Sequence, residues 1–303
     1  MSKEPVRIGR TPMHNIVTSV AGRQGPARAN PPTTLEEALN LMITSEMLDE
    51  ILIYTNSKIR SIREKYKKFT RQVRRIGSTA KKSRPCFVAD TDNIELRAFF
   101  GLLYLQGAFK SGHEDLRSLW ATDGTGRDIF RCTMSLKRFL FLLSSIRFDN
   151  ETTRQERVRT DKFAPISKIF HSFVSNACKN YSPCEYLTID EMLVPFRGRC
   201  GFRMYIPSKP AKYGLKVHIL ADAKTHYMLQ AEVYTGARDV EAEKSTLSVP
   251  AQTVLRMMNP FTNTNRNVTA DNWYTSIEVV DELKKIGLTY VGTIKKNKRQ
   301  IPI

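Results

Sequence analysis

Through the first half of the chain apolar residues return every three or four positions, and beyond Pro183 they begin to alternate, so the pattern predicts a helical half followed by mixed strands and helices. Thr34-Leu-Glu-Glu reads as an N-cap with acids in the first turn, and Leu35, Leu39, Met42 and Ile43 follow at helical spacing. Met47, Leu48, Ile51 and Leu52 carry a second helix into Asn56 and Lys58. Ile94, Leu96, Phe99, Phe100, Leu102, Leu103 and Leu105 predict a strong helix from Asn93. Leu136, Phe139, Leu140, Leu142, Leu143 and Ile146 predict another over 134–148, and Ile166, Ile169, Phe170, Phe173 and Val174 one more over 165–181.

After Pro183 the period shortens. Residues 186–189 form a short β-rich run, 213–220 alternate, 221–225 make a turn, and 226–234 return as a hairpin partner. A helix over 249–258, a strand over 267–270, a helix over 276–286 and a strand over 288–294 complete the series. The fold class this predicts is α+β, with a helical domain over 34–182 and an α/β core with a mixed sheet over 183–303. Residues 1–33, rich in Pro, Gly and Arg without periodicity, read as a disordered basic lead.

Charge narrows the choice of partner. Lys and Arg total 48 against 30 acids, a formal charge of +18, and such an excess favours a polyanion, with nucleic acid first. The stretch from Lys58 to Arg84 alone carries twelve basic residues and one acid, Glu64; it is either a solvated helix face or a DNA-facing arm. No run approaches about 18 apolar residues, so no membrane span is expected, and the start lacks the apolar run of a secretory signal. Cys86, Cys132, Cys178, Cys184 and Cys200 form no CxxC pair and read as reduced thiols.

Two acids stand out by position. Asp190 follows Leu187-Thr-Ile189 and Asp271 follows Val268-Thr-Ala270, so each sits at or just beyond the end of a core strand. If those strands are parallel neighbours, the carboxylates lie as little as about 5 Å apart, and at that range they repel unless a cation sits between them. Mg2+ suits such a pair, being a hard ion that combines one or two carboxylates with phosphate oxygens and water. The plainer alternative is a pair of ordinary strand-end or cap acids, with Asp271 capping the helix near Ser276 or shaping the Asn272-Trp-Tyr turn. Between the two acids, residues 195–216 hold Arg197, Arg199, Arg203, Lys209, Lys212 and Lys216 and no acid, interleaved with Phe196, Phe202, Tyr205 and Tyr213. This is either a surface that grips a phosphate backbone and stacks unpaired bases or a solvated loop with aromatic core plugs. Lys295, Lys296, Lys298 and Arg299 form a last basic cluster: a phosphate contact, a nuclear localisation signal or a charged loop.

Together these stretches resemble one family. Leu187-Thr-Ile-Asp-Glu-Met-Leu-Val-Pro-Phe-Arg-Gly-Arg-Cys200, running into Phe202-Arg-Met-Tyr-Ile-Pro-Ser-Lys-Pro-Ala-Lys-Tyr-Gly-Leu-Lys216, is similar to the signature of piggyBac transposases and their domesticated relatives. Val268-Thr-Ala-Asp-Asn-Trp-Tyr-Thr-Ser276 resembles the stretch around that family's second catalytic aspartate, and Val291-Gly-Thr-Ile-Lys-Lys-Asn-Lys-Arg-Gln-Ile-Pro302 the strand and basic turn that follow. The resemblance implies an RNase H-like core in which Asp190 and Asp271 are the first two metal-binding aspartates, preceded by a helical dimerisation and DNA-binding domain. It further implies Mg2+-dependent strand cleavage and transfer on transposon ends, insertion at TTAA targets, a homodimer, and a nuclear location. The family's third catalytic aspartate lies downstream, after an insertion domain, and a Cys-rich zinc-binding domain often follows. This chain ends at Ile303 with neither, so the core is expected to be partial and catalysis incomplete. The competing expectation is a catalytically inactive, transposase-derived protein that binds DNA or dimerises.

Overall fold

The computed structural model describes residue 13 and residues 16–75, 86–236 and 247–296. In chain order the elements are β1 (Gly22–Arg23), α1 (Gly25–Ala29), α2 (Leu35–Met42), α3 (Ser45–Arg75), α4 (Asn93–Ala108), α5 (Leu116–Leu119), α6 (Asp128–Thr133), α7 (Leu136–Ser145), α8 (Arg154–Thr160), α9 (Ser167–Asn180), β2 (Tyr181–Ser182), β3 (Tyr186–Pro195), β4 (Met204–Tyr205), β5 (Tyr213–Asp222), β6 (Met228–Val233), α10 (Val249–Met258), β7 (Asn267–Ala270), α11 (Ile277–Lys285) and β8 (Thr289–Gly292). They form two compact units. One is helical, Ile43–Phe170; the other joins the chain up to Met42 with the chain from His171 onward.

The sheet unit is built on β3. This strand pairs antiparallel with β5 on one side and parallel with β7 on the other, β7 pairs parallel with β8, and β4 and β6 both pair with β5. The mixed sheet follows from connection length: β5 and β6 close through a tight turn, whereas β7 and β8 are reached through helical crossovers. Alternation along β3 sends Leu187 and Ile189 to one face, where they meet Leu220, Val254, Met258, Val268, Val279 and Leu283, all 1% exposed or less. Burying each such side chain is worth roughly 1.5–3 kcal/mol, which fixes the register of the sheet. Gly214 allows the closest approach, since a Cβ there would lie 2.3 Å from the Val194 carbonyl oxygen across the ladder. The capping box predicted at Thr34 forms: Thr34 Oγ1 accepts from the Glu37 amide at 3.1 Å, and Glu37 Oε2 accepts from the Thr34 amide at 3.3 Å.

Three readings of the sequence are corrected here. First, the described part of the lead is ordered against the sheet unit. β1 pairs with β2, the Gln24 amide donates to the Cys178 and Tyr181 carbonyls, and the buried Arg266 donates to Ser19 Oγ, Ser182 Oγ and the Pro183 and Cys184 carbonyls. Backbone and guanidinium bonds of this kind leave no hydrophobic period to read. Second, residues up to Met42 and from His171 pack with the sheet, so the unit boundaries differ from 33/34 and 182/183; Asn176 and Asn180 donate to the carbonyls of Met42 and Leu41. Third, β3 runs ten residues, because Met192 and Val194 continue the alternation along β5 after the β7 ladder has ended.

The helical unit packs Ile59 of α3, Phe99 and Leu102 of α4, Phe130 of α6, and Phe139 and Leu142 of α7 into a core where each is at most 2% exposed. Trp120 joins it with its indole N–H donating to the Met134 carbonyl at 2.8 Å. The polar stretch around Trp120 therefore ends in two short helices, α5 and α6. Several cations of α3 have partners within the unit: Lys58 with Glu151, Arg60 and Arg63 with Asp90, and Lys67 with Glu64. That favours the solvated-face reading for this part of the basic stretch; the loop expected over 77–84 lies outside the described residues.

Candidate functional site

The parallel ladder between β3 and β7 ends at the pair Ile189 and Ala270, so Asp190 and Asp271 are the next residues on two adjacent strands. Their backbones are separated by about one strand spacing, near 5 Å. The expected juxtaposition is present, with one change: Asp190 lies within β3, at the end of the β7 ladder but midway along the β5 ladder, opposite Ile219. Both carboxylates are exposed. Asp190 Oδ1 accepts from the Glu191 amide at 2.7 Å, and Asp271 Oδ1 accepts from the Trp273 amide at 2.9 Å. Among the described residues neither pairs with a basic side chain within 4.0 Å, so no side-chain cation occupies the second oxygen of either carboxylate. Asp271 does shape the Asn272-Trp-Tyr turn, its carbonyl also accepting from Thr275 Oγ1 at 2.7 Å, while Ser276 caps α11. The turn role and a ligand role are compatible, since the first uses Oδ1 and the backbone.

The basic loop sorts into different environments. Arg197, Arg199 and Lys212 are exposed. Arg203 donates to the Arg197 and Gly198 carbonyls at 3.0 and 3.2 Å and lies 5.5 Å from the Tyr213 ring centre, so it braces the loop. Lys209 donates to the Glu191 carbonyl and pairs with its carboxylate at 3.3 Å. Lys216 is buried, 9% exposed. Tyr205 and Tyr213 are not core plugs: both are half exposed, and their rings lie 4.7 Å apart, tilted by 39°. Lys295 and Lys296 are exposed beyond β8, and Lys298 and Arg299 lie outside the described residues.

A stack the sequence reading missed supports these groups. The Lys216 ammonium lies 4.1 Å from the centre of the Trp273 ring, whose other contacts are His218, stacked at 5.3 Å and 17°, and Tyr274, edge-on at 4.6 Å. The signal was available: Lys216, His218 and Leu220 alternate along β5 opposite Leu193, Glu191 and Ile189, so all must share one face. His218 is 1% exposed and shares a 2.6 Å hydrogen bond with the Tyr274 hydroxyl. Burial, then the Lys216 charge, with Arg256 adding to it and Glu232 opposing, pushes its pKa down to about 4.

That shift predicts a pH dependence. The unfolded imidazole takes a proton near pH 6.5, whereas the folded one resists it until about pH 4, so stability is lost as pH falls through that window. Complete descent costs about 3 kcal/mol at 1.36 kcal/mol per pKa unit. Urea unfolding between pH 7 and 4.5 is expected to show this loss, and His218→Gln is expected to remove the slope; an unchanged slope in that variant would refute the assignment.

Chemically, the arrangement offers two carboxylates on adjacent strands, with exposed cations and aromatics on the loop between them in sequence. Such donors suit a divalent cation of oxygen preference. Among the described residues no group of three His, Cys, Asp or Glu converges on one point, so the described protein ligands number two.

Comparison with known proteins gives a consistent result. Residues 36–303 match the DDE-type family described as Transposase IS4. The chain is 24% identical over 208 residues to the human (Homo sapiens) PiggyBac transposable element-derived protein 3, which covers 67% of this chain and 34% of that protein. Its fold matches a piggyBac transposase solved as a synaptic complex with hairpin DNA, at TM-score 0.81 and 32% identity, over 94% of this chain and 55% of that one. The chain thus spans about a third of the curated relative and about half of the solved transposase.

Proposed function

The chain belongs to the piggyBac-type transposase family, and on that premise we propose that it binds DNA and carries in Asp190 and Asp271 two carboxylates of a metal site for phosphodiester cleavage and strand transfer. The observation that supports this most directly is the parallel register, which sets two exposed carboxylates, free of basic partners among the described residues, on adjacent strands of an RNase H-like sheet. Transposases of the DDE type use a divalent metal. Mg2+ is the proposed ion here, because the donors are carboxylate oxygens and the remaining positions suit phosphate and water. When bound, such an ion supplies Lewis acidity toward a phosphoryl oxygen and toward water. The protein's own groups do the rest. Arg197, Arg199 and Lys212 draw in the phosphate backbone; Arg203 and Lys209 stiffen the loop that carries them; Lys295 and Lys296 extend the cationic surface.

Transposon ends and a TTAA target are the DNA this reading assigns, the helical unit is the candidate for dimerisation and further DNA contact, and the nucleus is the expected location. A second reading is DNA binding or dimerisation without cleavage, which the exposed cations Arg197, Arg199 and Lys212 support without calling on the aspartates.

The test is a salt titration of binding to a labelled DNA duplex, followed by incubation with Mg2+ or EDTA. Affinity is expected to fall steeply with salt, and replacing Arg197, Arg199 and Lys212 by glutamine should flatten the log–log slope by roughly 2–3, at about 0.9 per phosphate contact. Nicking that needs Mg2+ supports the enzyme; binding without nicking supports the second reading. Salt-independent or undetectable binding would overturn the enzyme and the DNA-binding form of the second reading alike.

A further inference from the structure

Of the six cations between residues 195 and 216, Lys216 has a place the others lack. Arg197, Arg199, Arg203 and Lys212 are exposed, and Lys209 is tied to Glu191. Lys216 is nine-tenths buried, with its stem alongside Leu193 in the β3–β5 ladder and its ammonium 4.1 Å from the Trp273 ring centre. The ring itself is fixed, stacked on His218 and edge-on to Tyr274. Its backbone amide holds Asp271 Oδ1, so one turn sets both the carboxylate and the platform under the ammonium.

The carboxylates of Glu191, Asp271 and Asp190, in that order, attract this charge. Yet among the described residues no acid lies within 4.0 Å of Lys216 Nζ, and Nζ makes no hydrogen bond there. Nζ is not among the buried side-chain atoms left without a partner, so the ammonium reaches water at the edge of the stack while its stem is buried. The cation–π contact with Trp273, of up to about 2 kcal/mol, fixes the direction of the group but fills none of its three donors. Those donors are open to an anionic oxygen arriving beside Asp271, whose turn carries the Trp273 platform.

We propose that Lys216 binds a non-bridging oxygen of the DNA phosphate seated at Asp190 and Asp271, and that Trp273 is the positioning residue that aims it. This rests on the reading of the aspartate pair as a metal and phosphate site. The exposed cations grip the backbone at any point along the duplex; Lys216 engages one phosphate, and only when that phosphate is in place.

The test is a cycle on duplex binding measured by anisotropy with and without Mg2+. Lys216→Met keeps the stem and removes only the ammonium. In Mg2+ it is expected to weaken binding roughly tenfold, the size of a charge-assisted hydrogen bond. In EDTA, or with both aspartates changed to asparagine, that loss should vanish. Lys212→Met should weaken binding equally under all these conditions. Trp273→Leu should reproduce the Lys216→Met effect and its Mg2+ dependence, and Trp273→Phe, which keeps a ring face, should restore most of it; a merely structural role would not track Mg2+. If wild-type protein binds DNA more tightly in Mg2+ while Lys216→Met matches it, or loses affinity equally in EDTA, this inference falls and the proposed function stands. Absence of Mg2+-enhanced DNA binding by the wild-type chain overturns the aspartate site and this inference together.

Discussion

With Asp190 and Asp271 both changed to asparagine, divalent-ion affinity is expected to fall at least 100-fold, and any Mg2+-dependent DNA cleavage with it, while the fold is retained. The fold is safe because each carboxylate contributes one acceptor to it, toward the Glu191 and Trp273 amides, and an asparagine carbonyl can accept both bonds. The charge is what the ion needs. Two exposed carboxylates on adjacent parallel strands repel one another in the metal-free protein, so neutralising them leaves stability within about 1 kcal/mol or raises it slightly. DNA affinity without metal should hold or tighten, since two negative charges leave a cationic surface. Calorimetric titration with Mg2+ or Mn2+, beside a DNA-binding curve in EDTA, checks both halves. A variant that binds metal like the wild type would remove these residues from the site.

The second large effect lies in the helical unit. Arg138→Met is expected to destabilise that unit by about 3–5 kcal/mol, the range for breaking a buried ion pair from one side. Arg138 is 7% exposed and uses its whole fork: Nε donates to Glu95 Oε1 at 2.6 Å, Nη2 to Glu95 Oε2 at 2.5 Å, and Nη1 to the Phe87 and Ala89 carbonyls at 2.7 and 2.8 Å. Methionine fills much of the volume and leaves these acceptors without donors. Burial alone would raise the pKa of Glu95, but the hydrogen bonds from Arg138 and Thr91 outweigh it and hold the carboxyl below its usual range. The stability this gives is present above the unfolded pKa near 4.5 and is lost as pH falls through the folded value. Urea denaturation followed by hydrogen exchange in α4 and α7 measures the loss. Arg138→Lys should recover little, because an ammonium cannot span the same acceptors. The double change Arg138→Met with Glu95→Met should recover part, because it removes the stranded charge. Equal stability of the single variant and the wild type would show that the network contributes nothing.

Much of the sheet unit was legible because its elements are short, capped and periodic. Ser248 and Ser276 cap α10 and α11, alternation marked β5 and β6, and the two aspartates stood directly after apolar runs. The adjacency of Asp190 and Asp271 could be posed only as a condition, since strand order is set by packing over long sequence separation. What escaped was polar. Arg266, Arg138 and Gln24 organise loops through carbonyls that any sequence supplies, so their roles leave no pattern. The length of β3 was underread because Asp190-Glu191 interrupts the apolar run while the backbone continues its ladder to Pro195. Lys216 was grouped with its exposed neighbours because composition does not separate a buried ammonium from a solvated one.

The pairing of β1 with β2 has a consequence in time. The segment around Gly22 and Arg23 leaves the ribosome early, but its partner strand, and Arg266, which anchors Ser19, come much later in the chain. At typical synthesis rates that interval is on the order of ten seconds. The helical unit, encoded between the two, has all its own partners by Phe170 and can fold first. During translation the N-terminal segment therefore waits unpaired until its own sheet exists, and in that interval a chaperone or a stray strand edge can reach it.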